Sequence, residues 1–179
     1  MARALFAEHG YVATTISTIS AEADIPVQTI YSAFGSKAKI LDKITELWMS
    51  EAQTTSSAAA YLQEPDPARQ LRMLAGLTRR QMEVGSDVVV IYQEAAASDP
   101  QMAETLRNVL AAREREIRKL IDALAPRLRS ELTVDSALDL TLALTLPEVF
   151  HLLVAERGWG ADRYETWLAD TLVSQLLRD

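Results

Sequence analysis

The sequence has no cysteine, which excludes disulfides, thiolate metal ligands and a cysteine nucleophile. Its only imidazoles are His9 and His151, and it holds no HExxH, no GxSxG and no glycine-rich phosphate loop. The usual signatures of zinc hydrolysis, acyl transfer and nucleotide binding are therefore missing, and the expectation is a protein with no catalytic site, cofactor or metal. Glycine and proline number six each, and alternating Val/Ile runs are nearly absent, so the chain reads as all-α. No apolar stretch approaches the ~18 residues of a membrane span and no signal peptide is visible at the N-terminus, so no membrane contact and a cytoplasmic location are expected. Positive charge is also scarce. Lys and Arg total 18 against 25 Asp and Glu, a net charge of −7, which argues against nucleic-acid binding through bulk field.

What the chain does have is 49% hydrophobic content over 179 residues, enough for one large or two small domains. Asp66-Pro67 and Asp99-Pro100 each place an N-cap before a proline at the first helical position, a strong helix start. The first predicts a helix to about Val84, ended by Gly85-Ser86-Asp87 and followed by a short buried helix over 88–97. The second predicts an amphipathic helix from Pro100 to Ala125, with Met102, Leu106, Val109, Leu110, Ile117, Leu120, Ile121 and Leu124 on one stripe and Glu114 facing Arg118 on the other. Thr133 opens a helix apolar almost all round from Val134 to Val154, interrupted by Pro147, whose missing N–H frees the Ala143 carbonyl. After Gly158-Trp159-Gly160, a last helix carries Tyr164, Trp167, Leu168, Leu172, Val173, Leu176 and Leu177 on its apolar face. Residues 51–64 are rich in Ala, Ser, Thr and Gln and read as a weak helix or connector. A boundary there divides the chain into domains 1–50 and 51–179.

The densest local signals lie in Thr14–Leu41, TTISTISAEADIPVQTIYSAFGSKAKIL. Thr15 is an N-cap, and Ile16, Ile19 and Ala23 share one helical face. Asp24 tolerates the left-handed conformation that ends a helix, and Pro26 bars Ile25 from α geometry, so the chain bends here. A second helix over 27–34 puts Ile30 and Phe34 inward and leaves Val27, Gln28, Thr29, Tyr31 and Ser32 outward or lateral, until Gly35 stops it. Ser36 caps the next helix, in which Ile40, Leu41, Ile44, Leu47 and Trp48 recur at helical spacing. Two short helices joined by a tight turn make a helix-turn-helix, whose second helix fits the DNA major groove. By spacing alone the pair is equally an ordinary helical hairpin.

The run ALFAEHGY at Ala4–Tyr11, the pair Thr14 and Thr15, the segment IYSAF and the following GSKAKIL together resemble the TetR (tetracycline-repressor-like) family of transcriptional regulators over about the first fifty residues. The sequence departs from the family at Asp24, where Gly is usual, at Ser20, where Ala is usual, and at Pro26, where the N-cap is usually Ser. Only Met1–Ala4 precede LFAEHGY, whereas the family's first helix begins well earlier after a basic arm. Helix 1 is therefore either short or truncated, and arm contacts are not expected.

The resemblance implies an N-terminal three-helix DNA-binding module and a C-terminal helical domain for ligand binding and dimerisation. It implies a homodimeric repressor on a palindromic double-stranded operator, released by a small apolar or amphipathic effector. It places DNA contacts at Thr15, Ser17, Val27, Gln28, Thr29, Tyr31 and Ser32, with Lys37 on phosphate. The chemistry agrees, since Gln28 can pair with adenine, Val27 and the Thr29 methyl can touch a thymine methyl, and Tyr31 can reach phosphate. Candidates for the ligand pocket are Trp48, Met73, Leu77, Tyr92, Gln93, Leu110, Phe150 and His151, although each also reads as plain core, His151 as a hydrogen-bonded one. The dimer is expected to pair the last two helices of each subunit through Leu168, Leu172 and Leu176 as a four-helix bundle. The helix over 36–49, with Trp48 near its end, is the expected link between the two domains. Against this stands the charge of the first fifty residues. Arg3, Lys37, Lys39 and Lys43 face Glu8, Glu22, Asp24, Asp42 and Glu46, a net −1, which favours the alternative of a helical ligand-binding or interaction protein with lost or weak DNA binding.

Overall fold

Each of the strongest local signals forms the turn it encodes. In the computed structural model, which describes residues 1–178, the Thr15 hydroxyl accepts the Thr18 N–H at 3.0 Å and opens a helix. Asp66 and Asp99 carboxylates accept from Ala68 and Gln101 N–H at 2.9 and 2.8 Å, and Thr133 and Ser136 form a reciprocal capping box. The resulting order is α1 (Ala2–His9), α2 (Ile16–Ala23), α3 (Val27–Phe34), α4 (Lys37–Glu51), α5 (Thr54–Gln63), α6 (Pro67–Ser98), α7 (Pro100–Leu124), α8 (Val134–Leu144), α9 (Pro147–Phe150) and α10 (Ala161–Leu176). A 3-10 turn follows α7 at Ala125–Arg127, and a π turn follows α9 at His151–Glu156. The fold is all-α, and the β pairing among the described residues is one isolated bridge between Leu128 and Leu177.

The chain divides into two compact units. The first joins Met1–Trp48 to Asp87–Val109, and the second joins Met49–Ser86 to the chain from Leu110 onward. The cut after Trp48 lies close to the boundary expected at residue 50, but the second half of α6 and the start of α7 belong to the first unit.

The core of the first unit explains why. Leu5, Phe6 and Tyr11 from α1 and its turn meet Ile16, Ile19, Ile30, Ile40 and Leu41, and the cluster is completed by Ile91, Tyr92, Ala95 and Met102. Three helices of eight residues each cannot bury enough apolar surface alone, so α6 and α7 supply the missing wall. Polar anchors fix the register. Arg3 donates from Nε and Nη2 to the Asp87 carboxylate at 2.8 and 2.6 Å, and the Glu94 carboxylate accepts the Tyr11 and Val12 N–H groups at 2.9 and 3.2 Å. Gly10 between them sits at φ 82°, ψ 156°, a region open essentially to glycine alone. A Cβ there would stand 2.8 Å from Glu94 Oε1.

In the second unit, Leu71, Leu74, Leu77 and Met82 of α6, Ile117, Leu120, Ile121 and Leu124 of α7, Ala137 and Leu138 of α8 and Tyr164, Leu168, Leu172 and Leu176 of α10 are all buried. At ~1.5–3 kcal/mol for each large apolar side chain removed from water, this burial is what holds the short α8 and α10 in place. Ion pairs between Arg79 and both Asp162 and Glu165, and between Arg72 and Asp170, link α6 to α10 at its surface.

Several expectations need correction. Leu168, Leu172 and Leu176 are each 0% exposed, so they are core of one subunit and cannot be its interface. The α10 face that looked surplus is consumed by the same chain. Gly85 does break the helix as expected: α6 is two helices joined across a kink at Gly85, which leaves helical geometry at φ −162°, ψ 27°. Of the weak helix and the connector left open over 51–64, a helix forms as α5, where Tyr61 is buried and Arg80 and Gln81 donate to the Ser57 and Thr54 hydroxyls at 2.8 and 3.0 Å. Pro147 starts α9 and is not a kink inside a longer helix, and the Ala143 carbonyl accepts the Leu146 N–H at 3.4 Å. Val109 and Leu110 are exposed although they continue the α7 stripe. Arg118 pairs with Asp135 at 3.0 Å instead of bonding Glu114.

Candidate nucleic-acid interface

The turn between α2 and α3 is built from backbone capping. Asp24 adopts the left-handed conformation at φ 53°, ψ 42°, the Ile25 N–H donates to the Ser20 carbonyl at 3.1 Å, and the Ser20 hydroxyl donates to the Ile25 carbonyl at 2.6 Å. Ser20 thus replaces a small apolar residue with a local hydrogen bond, and Asp24 takes a conformation more usual for glycine. Pro26 caps α3 without a side-chain bond, its carbonyl accepting from Thr29 and Ile30 N–H at 2.9 and 3.2 Å. Gly35 ends α3 at φ 77°.

Ile30 is buried and Val27 is half-buried against the core, which leaves Gln28, Thr29, Tyr31 and Ser32 as the exposed face of α3. Tyr31 is 48% exposed. Phe34, expected inward, is 40% exposed, because the eight-residue helix meets its core through Ile30 and ends at Phe34. Thr15 and Ser17 lie exposed at the start of α2, although the Thr15 hydroxyl is engaged as the cap. So six of the expected contact residues are exposed, and Val27 is half-buried.

Lys37 is placed otherwise. Its ammonium donates to the carbonyls of Tyr11, Thr14 and Val12 at 2.7, 3.0 and 3.5 Å and lies 4.2 Å from the centre of the Tyr11 ring. Burial lowers its pKa, and nearby Glu94 pulls the other way. An ammonium with three donors and three carbonyls is fully used, so Lys37 acts first as a clasp on the α1–α2 turn. Lys39 and Lys43, by contrast, sit in exposed i,i+3 pairs with Asp42 and Glu46 at 2.9 and 2.6 Å, contacts worth little and easily exchanged for phosphate.

Residues 1–44, covering α1 to α3 and the first half of α4, match the family described as bacterial regulatory proteins, tetR family. That match is confined to the N-terminal module. Fold relatives extend the likeness beyond that tetR-family module. A transcriptional regulator from Saccharomonospora viridis in complex with choline is similar at TM-score 0.76 and 19% identity, covering 99% of this chain and 94% of that one. The fatty acid degradation regulator FadR from Bacillus halodurans has a TM-score of 0.77 at 18% identity, covering 96% and 90%. The SmeT–triclosan complex gives 0.77 at 17%, covering 99% and 88%. No curated protein sequence matches the chain.

The residues expected to line a ligand pocket are distributed over both units. Trp48, Tyr92 and Gln93 fall in the first unit, and Met73, Leu77, Leu110, Phe150 and His151 in the second. The Tyr92 hydroxyl donates to Asp42 at 3.4 Å inside the first core. Gln93 and Leu110 are exposed, and His151, expected buried, is exposed with Nε2 3.6 Å from Glu156. Leu77 and Phe150 are core. Met73 lines an open groove of about 410 Å³ in the second unit, with Ser57, Ala60, Arg69, Arg72, Arg80 and Glu165 among its walls. Tyr164, expected on the apolar face of the last helix, is fully buried, and Arg113 is half-buried, donating to the Thr145 carbonyl and hydroxyl at 2.9 and 2.6 Å.

Proposed function

We propose that the chain is a DNA-binding transcriptional regulator, a repressor that binds a palindromic operator as a homodimer and is released by a small-molecule effector taken up by its second unit. The observation that carries this is the exposed α3 face, Gln28, Thr29, Tyr31 and Ser32, presented by a tightly capped turn within the tetR-family match. Complexes of two fold relatives with choline and with triclosan support a small-molecule effector. They do not agree on one chemistry.

The test is selection from random double-stranded DNA with the wild-type protein and with Gln28→Ala. A defined palindrome is expected, with preference at one base pair per half-site relaxed by ~1–3 kcal/mol in the variant. An unchanged selected sequence would remove Gln28 from the readout.

The second reading, a helical ligand-binding protein without DNA binding, draws on one observation. Every cation among residues 1–48 has an intramolecular partner: Arg3 on Asp87, Lys37 on carbonyls, Lys39 on Asp42 and Lys43 on Glu46. Recovery of no sequence from the same selection would favour it.

A further inference from the structure

From Ala4 to Ser36 the chain has no lysine or arginine, a span that contains all of α2, the turn and α3. Its formal charges are Glu8, Glu22 and Asp24, all negative. The cations on either side are committed elsewhere, Arg3 to the Asp87 carboxylate and Lys37 to the carbonyls of Tyr11, Val12 and Thr14. Lys39 and Lys43 stand on α4 in their pairs with Asp42 and Glu46. The exposed face of α3 therefore meets a partner with neutral groups alone.

Those groups are turned to solvent and unbonded. Ile30 marks the buried side of α3, and by helical period Gln28 and Ser32, one turn apart, lie nearest the opposite side, with Thr29 and Tyr31 flanking them. Their side chains make no hydrogen bond with the described residues. Elsewhere Thr78, Thr105, Thr141 and Thr166 turn their hydroxyls back onto the carbonyl four residues earlier in the same helix, at 2.9, 2.9, 2.8 and 2.9 Å. Thr29 and Ser32 make no such bond, so their donors and acceptors stay available to a partner.

The edges of the bases discriminate among such side chains. Guanine shows two acceptors in the major groove, N7 and O6, and its bidentate reader is the donor fork of arginine or the ammonium of lysine. Adenine shows one acceptor, N7, beside one donor, the N6 amino group, and a carboxamide with its own donor and acceptor matches that pair. Thymine adds a methyl that accepts an apolar contact. A carboxamide, two hydroxyls, a phenol and the half-buried Val27 thus supply what adenine and thymine call for. They supply no charged fork for guanine.

We propose that the base pairs read by α3 in each half-site are A·T pairs, with adenine held by the Gln28 carboxamide, thymine methyls against Val27 and Thr29, and no guanine read through N7 and O6. The proposal rests on the DNA-binding reading above and adds the base chemistry of the operator.

The experiment takes the palindrome selected from random duplex DNA and rebuilds it with base analogues, measuring the affinity of the full chain by gel shift. 7-Deazaadenine, which lacks the N7 acceptor, is expected to weaken binding about fivefold or more at one position per half-site. Uracil in place of a contacted thymine should weaken it about fourfold, the worth of one buried methyl. 7-Deazaguanine at any guanine of the half-site should leave the affinity within about twofold. Gln28 is exposed and bonds nothing in the protein, so Gln28→Arg should fold as the parent does. That variant is expected to change the preferred pair at the adenine position to G·C, because a guanidinium matches N7 and O6. Uniform tightening on all sequences by Gln28→Arg would place residue 28 against phosphate and overturn the proposal. A half-site whose binding falls about tenfold with 7-deazaguanine, or one indifferent to both 7-deazaadenine and uracil, would overturn it too. In each of those cases the regulator reading stands, since a defined palindrome is still bound. If no palindrome is selected and no duplex is shifted, both fall.

Discussion

Lys37 shows how one side chain can look like a DNA contact and serve another purpose first. Its three carbonyl acceptors close the turn that leads from α1 into α2, so Lys37→Ala is expected to destabilise the first unit by ~1–3 kcal/mol, with weaker binding to every DNA sequence as a consequence. Lys39→Ala should leave the melting temperature nearly unchanged, since its bond to Asp42 is exposed. If Lys39 reaches phosphate, the same substitution lowers the salt slope of operator binding by about one. Thermal melts and salt titrations of the two variants separate the roles, and equal melting temperatures for Lys37→Ala and wild type would contradict the clasp. The caps at Thr15, Asp24, Ser36 and Thr133 were readable because each depends on neighbours within about three residues along the chain. The direction of Lys37 was not, because its acceptors lie 23 to 26 residues away in sequence.

At the scale of the element, the second half of α6 does most to complete the helix-turn-helix. Asp87 begins that half and holds Arg3 of α1 through two charge-assisted hydrogen bonds. That hydrogen bond, ahead of the opposing effect of burial, lowers the Asp87 pKa below its ordinary value of 3.8. A carboxylate with a depressed folded pKa adds stability that is fully present above the unfolded value and is lost as pH falls through the folded one. The first unit should therefore soften below about pH 4, and Asp87→Asn should remove that part of the acid sensitivity while costing a fraction of a kcal/mol at neutral pH, since the pair is about one-third exposed. Hydrogen exchange of α1 amides against pH checks this, and an Asp87→Asn profile parallel to wild type would refute it. The helical character of residues 88–97 was legible from their apolar run. Their role as a wall for α1 was not, since an apolar run does not tell which of its faces is covered, and Val88, Ile91, Tyr92 and Ala95 are buried while Val90 is exposed.

For the whole molecule, the inward turn of α10 changes what a dimer can use. Leu172→Glu with Leu176→Glu would place two carboxylates where no water reaches and unfold the second unit instead of yielding monomers. The exposed leucines of that unit near the α8–α9 break and in the π turn, Leu140, Leu146 and Leu152, are the better surface for a two-fold contact. Leu140→Glu with Leu152→Glu is expected to keep the helical circular dichroism, give the mass of one subunit in light scattering, and lose operator binding. A dimer that survives this pair of changes would place the contact elsewhere. An effector that releases DNA must couple the two binding events by ~1–3 kcal/mol, a 5- to 150-fold change that operator DNA imposes equally on the effector. By itself the sequence determined the all-α class, most helix limits within a residue or two, the α2–turn–α3 geometry and the polar identity of the α3 face. All of these rest on capping, periodicity and turn preference, which act over a few residues. Tertiary packing settled which leucines of α10 are core, that Phe34 and His151 face solvent, and that residues 87–109 complete the first unit. Each of those depends on which distant segment covers a given face, and the pattern of apolar residues says that a face must be covered without saying by what.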